Sequence, residues 1–358
     1  MPIPKYQAVA EDLRFHILHG KYAEDTTLPT EFEICNDYQV SRQTVRQALS
    51  LLVKEHLIEK RQGSGSHILR QHTSQPKPMR SIAVVATYIS DYIFPSVLRE
   101  IETVLSVNNC TPSLFATQNQ IANERKILQT LLSMQVDGIL VEGTKSALPN
   151  PNLDLYQKLM DKGVPLVFFH GTYSQLPRAH FVLDDNEGGG KMLTEYLIAK
   201  GHKHIAGIFK SDDIQGPNRF SGYIHALRDA NILVDDRLIF WYNTENKNSL
   251  FSSDPDAPLI MRRDLLPECT AVVCYNDEIA SLLISALQKK KKRIPEDIAV
   301  VSFDNSPYSQ LSPVPITSLS HGSKNVGKQA AEKLLALMSG KSCQSELVPW
   351  ELIERESG

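Results

Sequence analysis

Two arginines, Arg42 and Arg46, stand four residues apart at the start of a segment with helical periodicity. This spacing puts both guanidinium groups on one helix face, in company with Gln43 and Gln47. The opposite face is apolar, with Val45, Ala48, Leu49 and Leu52. A guanidinium can donate two parallel hydrogen bonds to O6 and N7 of guanine. The segment therefore carries chemistry suited to reading base edges, and the simpler alternative is a solvated helix face.

A second set of polar side chains follows β-branched runs further along the chain. These residues lie within Tyr88–Phe94, Glu142–Ser146 and Lys210–Gln215, and at His170, Asn276 and Asp304. Ligands of open α/β sheets bind beyond the carboxyl ends of the strands, so we expect these side chains to line one ligand site. Carboxylates and amides pair with several hydroxyl groups, and a phenol ring covers a planar face. The set suits a small, hydroxyl-rich ligand.

The elements that must position the arginines are predicted within residues 1–70, as three short helices and a hairpin. Thr30 and Glu33 match a capping box at the start of one helix. After a short turn, Ser41 is a good N-cap for the helix of Arg42 and Arg46. Helix, tight turn and second helix are typical of a helix-turn-helix, and the hairpin that follows has a glycine tip.

The rest of the chain predicts a linker and an α/β module. Residues 71–80 have no apolar periodicity and contain two prolines, as in a linker. From Ser81 onward, short β-branched runs alternate with amphipathic stretches, which favours parallel sheets covered by helices on both faces. The predicted fold class is α/β, with an N-terminal winged helix-turn-helix over 1–70 and a larger module over 81–358.

The distribution of charge supports a nucleic-acid partner more than the net charge of −3 does. Residues 1–41 carry three basic and seven acidic side chains, whereas residues 42–70 carry six basic and two acidic ones. A surface that meets phosphate should be locally basic, and Lys60 and Arg61 suit phosphate contacts. A chance run of charge would give the same counts.

Composition excludes several other classes of protein. We expect no signal peptide, because residues 1–20 contain Glu11, Asp12 and Arg14 and no apolar h-region. We expect no membrane span, because no stretch approaches the roughly 20 apolar residues that a bilayer requires. The five cysteines are scattered and never form a CxxC pair, which indicates a reducing cytoplasm rather than a disulfide framework or a zinc site. P-loop, GxSxG and HExxH motifs are absent from the sequence, so we expect no catalytic residues, no metal, no cofactor and no enzyme activity.

The N-terminal residues resemble the winged helix of the GntR family. The matching stretches are Leu-Pro-Thr-Glu at 28–31, Val-Ser-Arg-Gln-Thr-Val-Arg-Gln-Ala-Leu at 40–49 and Gly-Ser-Gly at 63–65. The resemblance implies that Arg42 and Arg46 contact bases or phosphates and that Ser41 and Thr44 contact the backbone. It also implies minor-groove contacts from Gln62 and Gly63 and a DNA contact from Glu31. The predicted DNA-binding residues are Glu31, Ser41, Arg42, Gln43, Thr44, Arg46, Gln62 and Gly63.

Residues 81–358 resemble the effector module of LacI/GalR-type repressors, which is similar to periplasmic sugar-binding proteins. Matching stretches include Asp137–Val141, Asp185–Gly189, Gly201–Ile205, Asn276–Ala280 and Ile294–Asp304. Family positions that hold ligand hydroxyls correspond to Arg219 and Asp304. With these two, the predicted sugar-binding residues are Tyr92, Glu142, Lys145, His170, Asp212, Gln215, Arg219, Asn276 and Asp304. Asn276 could equally cap the following helix, and Asp185 and Asn186 are expected to cap a helix or brace a hinge.

A GntR-type head on a LacI-type body resembles the arabinose repressors of Gram-positive bacteria. The resemblance implies a transcriptional repressor that acts as a homodimer on a palindromic operator and is released by a small sugar, with L-arabinose favoured. The protein would act in the cytoplasm, on the nucleoid. Another sugar, or a ligand that strengthens DNA binding as a corepressor, remains open. A transport sugar-binding protein or a DNA-tethered sugar enzyme is the alternative from another class.

The module is expected to consist of two lobes that close on the ligand. We predict a first lobe of 81–183 with 306–341 and a second lobe of 184–305 with 342–358. Three crossings would join them, near Leu183–Asn186, Asp304–Pro307 and Thr317–His321. A sugar that bridges the lobes binds the closed arrangement better than the open one, and only that difference can shift the equilibrium.

Overall fold

The computed structural model describes residues 4–18, 21–22, 26–61, 64–69, 79–251, 269–322 and 324–358. The chain divides between Pro78 and Met79 into two units, and each unit has its own hydrophobic core. Gln62 and Gly63, residues 71–78 of the linker and the loop 252–268 lie outside the described residues. In the described part of the chain, no helix is long and apolar enough to cross a membrane.

The first unit is a helix-turn-helix with a hairpin. Its elements are α1 Lys5–Leu18, α2 Glu31–Tyr38, α3 Arg42–Lys54, β1 Ile58–Arg61 and β2 Gly65–Ile68, with the two strands antiparallel. The capping box is present, because the Glu33 amide donates to Thr30 Oγ1 (3.3 Å) and the Thr30 amide donates to Glu33 Oε2 (2.7 Å). Gln39 ends α2 in the left-handed region. Helix α3 buries Val45, Ala48, Leu49 and Leu52, the apolar face that the sequence predicts.

The second unit alternates strands and helices over residues 79–358. Its elements in chain order are β3 Arg80–Ala86, α4 Phe94–Val107, β4 Cys110–Ala116, α5 Ile121–Ser133, β5 Gly138–Val141, α6 Leu153–Asp161, β6 Leu166–Phe169, β7 His180–Asp184, α7 Asn186–Ala199, β8 Ile205–Lys210, α8 Gln215–Asp229, β9 Ile239–Tyr242, β10 Ala271–Cys274, α9 Asp277–Lys289, β11 Ala299–Phe303, α10 Pro307–Leu311, β12 Thr317–Ser320, α11 Val326–Met338, β13 Glu346–Val348 and β14 Glu351–Ile353. Short 3₁₀ turns flank β9.

These strands form two sheets, one in each lobe. The first sheet has the order β13-β7-β6-β5-β3-β4 and is parallel throughout, and the second has the order β14-β12-β11-β10-β8-β9 with only β14 antiparallel. Strands covered on both faces read as continuous apolar runs. In β3, Ile82 and Val84 enter one core cluster, whereas Ala83 and Val85 enter the cluster on the opposite face. The apolar runs of the sequence therefore mark strands with helices on both sides.

The lobe boundaries differ from the predicted ones in two segments. We expected 306–341 in the first lobe, but α10 packs on α9 and β12 pairs in parallel with β11, so both belong to the second. We expected 342–358 in the second lobe, but β13 pairs with β7 of the first. The predicted crossing at Asp304–Pro307 is therefore wrong, because the chain crosses only after β12. The crossings lie at Asp184–Asp185, between β12 and α11, and at Pro349–Trp350.

Candidate functional site

A cavity of about 270 Å³ lies between the two lobes. Six of the nine predicted sugar-binding residues line it, namely Tyr92, Glu142, His170, Gln215, Asn276 and Asp304. They follow β3, β5, β6, β8, β10 and β11, so the carboxyl-end rule for parallel strands collects them at one place. Because each lobe contributes side chains, a ligand in this cavity would touch both.

The lobes contact each other across the mouth of the cleft, so the structure is a closed one. Asn119 of the first lobe donates to Thr244 Oγ1 of the second at 2.6 Å. The Ile214 amide of the second lobe donates to Ser146 Oγ of the first at 3.0 Å. Lys145 forms an ion pair with Glu245. These polar contacts must break for the lobes to open.

Four predicted site residues have left-handed backbone although none is glycine. The φ angles are +54° at Tyr92, +44° at Lys145, +58° at His170 and +93° at Asp304. Such conformations cost free energy for residues with a Cβ and cluster at ligand sites, where the surrounding structure holds them. The backbone strain therefore marks the same loops as the polar side chains do.

Glu142 and Asn276 face the cavity from opposite lobes. The Thr87 amide donates to Glu142 Oε2 at 2.7 Å, and burial raises the pKa of this carboxyl group. Asn276 Oδ1 accepts from the Ile279 amide at 3.0 Å, so the residue caps α9 as well as lining the cavity. Asn276 can serve both predicted roles, because its Oδ1 caps α9 while its Nδ2 forms no hydrogen bond to the described residues and can donate to a ligand.

Asp304 links the floor of the cavity to the first lobe. The Tyr92 hydroxyl donates to Asp304 Oδ2 at 2.7 Å and accepts from the Asp277 amide at 3.2 Å. Asp277 is itself buried among serine donors, and burial with the Asp304 charge raises its pKa to about 7. The phenol of Tyr92 therefore bridges the lobes by donating to Asp304, the same carboxylate to which a sugar hydroxyl could donate.

Arg219 lies behind the cavity wall rather than in it. Its side chain is 1% exposed; Nε donates to Asn186 Oδ1 (2.8 Å) and Nη2 donates to Gln215 Oε1 (2.7 Å). Nη2 also lies 3.4 Å from Asp304 Oδ1. The sequence predicted a direct hydroxyl contact, but most of the guanidinium donors are already used by the protein. In this closed structure Arg219 positions Gln215 and Asp304, both of which do line the cavity.

Lys145 and Asp212 also lie outside the cavity wall. Both belong to the mouth of the cleft, where Lys145 Nζ is 4.0 Å from Asp212 Oδ2 and pairs with Glu245. The Thr244 amide donates to Asp212 Oδ2 at 3.1 Å. The carboxyl-end rule selected loops that line the cavity, but these loops are long, and some of their residues contact the opposite lobe instead.

Sequence reasoning missed several cavity residues as individuals. Among them are Tyr88, Lys210, Asp213, Tyr275 and Glu278. The largely covered Lys210 Nζ lies 3.8 Å from Asp213 Oδ2, and the two neighbouring aspartates help to raise its pKa against the cost of burial. Tyr275 donates to Asp213 Oδ2 at 2.9 Å. A signal was available, since Tyr88, Lys210 and Asp213 fall inside the loops that the strand ends selected.

The exposed face of α3 forms a second candidate site in the first unit. Arg42 and Arg46 are mostly exposed, and Glu31 lies 3.6 Å and 3.0 Å from their Nε atoms. Glu31 also lies 3.8 Å from Lys60 Nζ of β1. One carboxylate of α2 thus lies close to three cations of the basic surface, and a DNA phosphate would compete with this carboxylate for them.

The remaining predicted DNA contacts have mixed positions. Ser41 Oγ accepts from the Thr44 amide at 3.2 Å and lies 2.8 Å from Thr44 Oγ1, so both hydroxyls take part in capping α3. Gln43 lies on the exposed face, in a groove with Arg46 and Gln47. Gln62 and Gly63 lie outside the described residues.

A helix-turn-helix with an exposed arginine face and a two-lobed α/β module that closes on a polar cavity together define a class of protein. That class is the transcriptional regulator controlled by a small effector. Residues 5–68 match the bacterial regulatory proteins of the gntR family, and residues 194–358 match the periplasmic binding protein-like domain.

Two curated relatives match almost the whole chain. The arabinose metabolism transcriptional repressor of Geobacillus stearothermophilus is 36% identical over 95% of this chain and 93% of its own length. The protein of the same name from Halalkalibacterium halodurans is 35% identical over 93% and 88%. Among solved structures, the transcription regulator CcpA of Lactococcus lactis is 27% identical with a TM-score of 0.67, covering 78% of this chain and 99% of that one. This chain belongs to the family of these two transcriptional repressors.

Proposed function

We propose that the protein represses sugar-utilisation genes as a homodimer on a palindromic operator and leaves that operator when L-arabinose binds between its lobes. The observation that carries the proposal is the cavity, lined from both lobes by side chains that pair with hydroxyl groups. A ligand that touches both lobes stabilises their closed arrangement relative to an open one. Such a protein would act on the nucleoid, in the cytoplasm.

The chemistry of the cavity favours a small sugar. Glu142 and Asp304 can each accept hydrogen bonds from two hydroxyl groups, and the amide nitrogen of Asn276, which has no hydrogen-bond partner in the described part of the chain, can donate. Tyr88 and Tyr92 line the cavity with these groups. L-Arabinose is favoured among sugars because both full-length relatives are named for arabinose metabolism. A different sugar would hydrogen-bond to the same side chains through a different set of hydroxyl groups.

A homodimer is supported by an exposed apolar surface on α9 and α10. Leu282, Tyr308 and Leu311 are all large and at least 43% exposed, on two helices that pack against each other. Large exposed apolar side chains on neighbouring elements are typical of an interaction surface. A two-fold dimer would present two copies of α3, which suits a palindromic operator.

In a corepressor mode, a ligand in the same cavity would strengthen operator binding instead of weakening it. Fluorescence anisotropy of a labelled operator, measured at fixed salt with L-arabinose, D-xylose, D-ribose and D-galactose, separates the two. We expect L-arabinose to weaken operator binding, with the other sugars weaker or inactive. A sugar that strengthens operator binding would establish the corepressor mode instead. A thermal shift with the same panel identifies the ligand independently of DNA, since a ligand that binds only the native state stabilises it.

A further inference from the structure

One buried carboxylate, Asp184, lies where all three crossings between the lobes meet. It ends β7 at the first crossing, and its Oδ1 is 2.6 Å from Nε2 of His321 at the second. The His321 ring stacks on Trp350 of the third crossing, with centroids 3.8 Å apart. The side chain of Asp184 is almost fully buried. Asp184 is therefore part of the first crossing, lies beside His321 of the second, and is linked to the third through the stack of His321 on Trp350.

The other oxygen of the same carboxylate reaches the cavity residue His170. His170 Nδ1 lies 2.9 Å from Asp184 Oδ2. The second ring nitrogen, Nε2, is buried and has no hydrogen-bond partner among the described residues, and the side chain lines the cavity. A buried polar atom without a partner is costly, so the Nε2 position calls for a hydrogen-bonding group beyond those that the described residues provide.

We propose that Asp184 is a positioning residue that holds His170 as a hydrogen-bond donor to the sugar and connects that contact, through His321 and Trp350, to the hinge. With Nδ1–H held by Asp184, a protonated His170 presents Nε2–H to the cavity, where a hydroxyl oxygen can accept it. A neutral His170 would keep its proton on Nδ1 and present a lone pair instead. The inference rests on the proposed function, because it names how the effector site is linked to the lobes.

The charges around His170 favour its protonated form. Burial alone would lower the pKa of His170, but the charge and hydrogen bond of Asp184, with Glu142 and Asp304 nearby, raise it to about 9. Asp184 faces His170, His321 and the guanidinium of Arg219, and the two histidines hold its own pKa well below the usual range although burial opposes this. His170 is therefore a cationic donor at neutral pH.

Two variants of the full-length protein separate the two parts of the proposal. Asp184→Asn removes the charge that keeps His170 protonated. Between pH 6 and pH 8 the variant's L-arabinose affinity should therefore fall about tenfold or more beyond any change in the parent, because the parent carries the same titrating Asp277 and Glu142. Hydrogen bonds to charged groups are worth this much. His321→Gln leaves Asp184 on His170, so sugar affinity should stay within about twofold while sugar releases the operator less effectively. The matched control is His225→Gln, a surface histidine paired with Glu187, which should behave as the parent.

NMR titration of His170 in the sugar-free protein tests the inference even if the sugar is misidentified. We expect the parent His170 to titrate near pH 9 and the Asp184→Asn variant to titrate at least about one unit lower. A parent His170 that titrates near 6.5, or that does not respond to Asp184→Asn, overturns the proposal, as does a His321→Gln variant released by sugar as fully as the parent. If L-arabinose does not bind the parent, the proposed effector is wrong, and the titration still decides the role of Asp184.

Discussion

Replacing Arg219 with alanine should destabilise the two-lobed unit by about 3–5 kcal/mol, because removing one partner of a buried ion pair leaves the other charge uncompensated. Arg219 is 1% exposed, and its partner Asp304 lies 3.4 Å from Nη2. The carbonyl of Tyr275 accepts from Nη1. The guanidinium also lies 4.1 Å from the centroid of the Phe303 ring, so the change removes packing as well as charge.

Urea unfolding of the full-length protein, followed by circular dichroism, measures this loss. The first unit has its own core and should unfold at the parent's urea concentration, which provides an internal reference. Arg228→Ala is the matched control, since Arg228 lies on the same helix with its side chain mostly exposed and should change stability by less than about 0.5 kcal/mol. A loss below about 1 kcal/mol for Arg219→Ala would refute a structural role and return Arg219 to the role of a direct sugar contact.

Three further predictions concern DNA, assembly and pH. Arg46→Ala should cost about 1–3 kcal/mol of operator affinity and relax base preference, whereas Lys60→Ala should weaken binding to all DNA sequences alike. Fluorescence anisotropy with operator and random DNA compares the two variants. An unchanged operator affinity for Arg46→Ala would contradict the role of α3. Leu311→Asp should shift the full-length protein toward monomer in sedimentation, whereas Leu233→Asp, which is also highly exposed but lies beyond α8, should not. A Leu311→Asp dimer as strong as the parent's would exclude the surface of α9 and α10. Because the pKa of His170 is about 9 in the folded protein and about 6.5 in the unfolded chain, its protonation stabilises the fold fully below pH 6.5, and this stabilisation is lost as the pH rises through 9. The free energy of unfolding of the two-lobed unit should therefore fall from pH 7 to pH 10, and less steeply in His170→Gln. Equal pH slopes of the free energy of unfolding in parent and variant would contradict the assignment.

Much of the fold is predictable because local patterns determine it. The capping box of Thr30 and Glu33 and the apolar face of α3 appear as the sequence predicts. The lobe boundaries were not predictable in the same way, because β12 (Thr-Ser-Leu-Ser) and β13 (Glu-Leu-Val) are short and barely apolar. Their sheet is decided by long-range pairing, which a local pattern does not contain.

The cavity shows the same division between local and long-range information. The carboxyl-end rule finds the loops of Tyr92, Glu142 and Asp304, because parallel strands in each sheet bring their ends together. It does not tell which side chains of a loop turn inward. Arg219 was predicted as a sugar contact, yet its Nη2 donates to Gln215 one turn earlier on α8. Its Nε donates to Asn186 of α7, a contact between two helices that sequence spacing does not reveal.

The central claim is that sugar binding between the lobes and operator binding by the helix-turn-helix oppose each other, and one linked pair of titrations tests it most directly. Operator affinity is measured by anisotropy with and without saturating L-arabinose, and L-arabinose affinity is measured by calorimetry with and without saturating operator, at one salt concentration and pH. Linkage requires the two factors to be equal, and a coupling of about 1–3 kcal/mol predicts that each ligand weakens the other about 5- to 150-fold. Equal affinities with and without the second ligand, or a sugar that strengthens operator binding, would contradict the account.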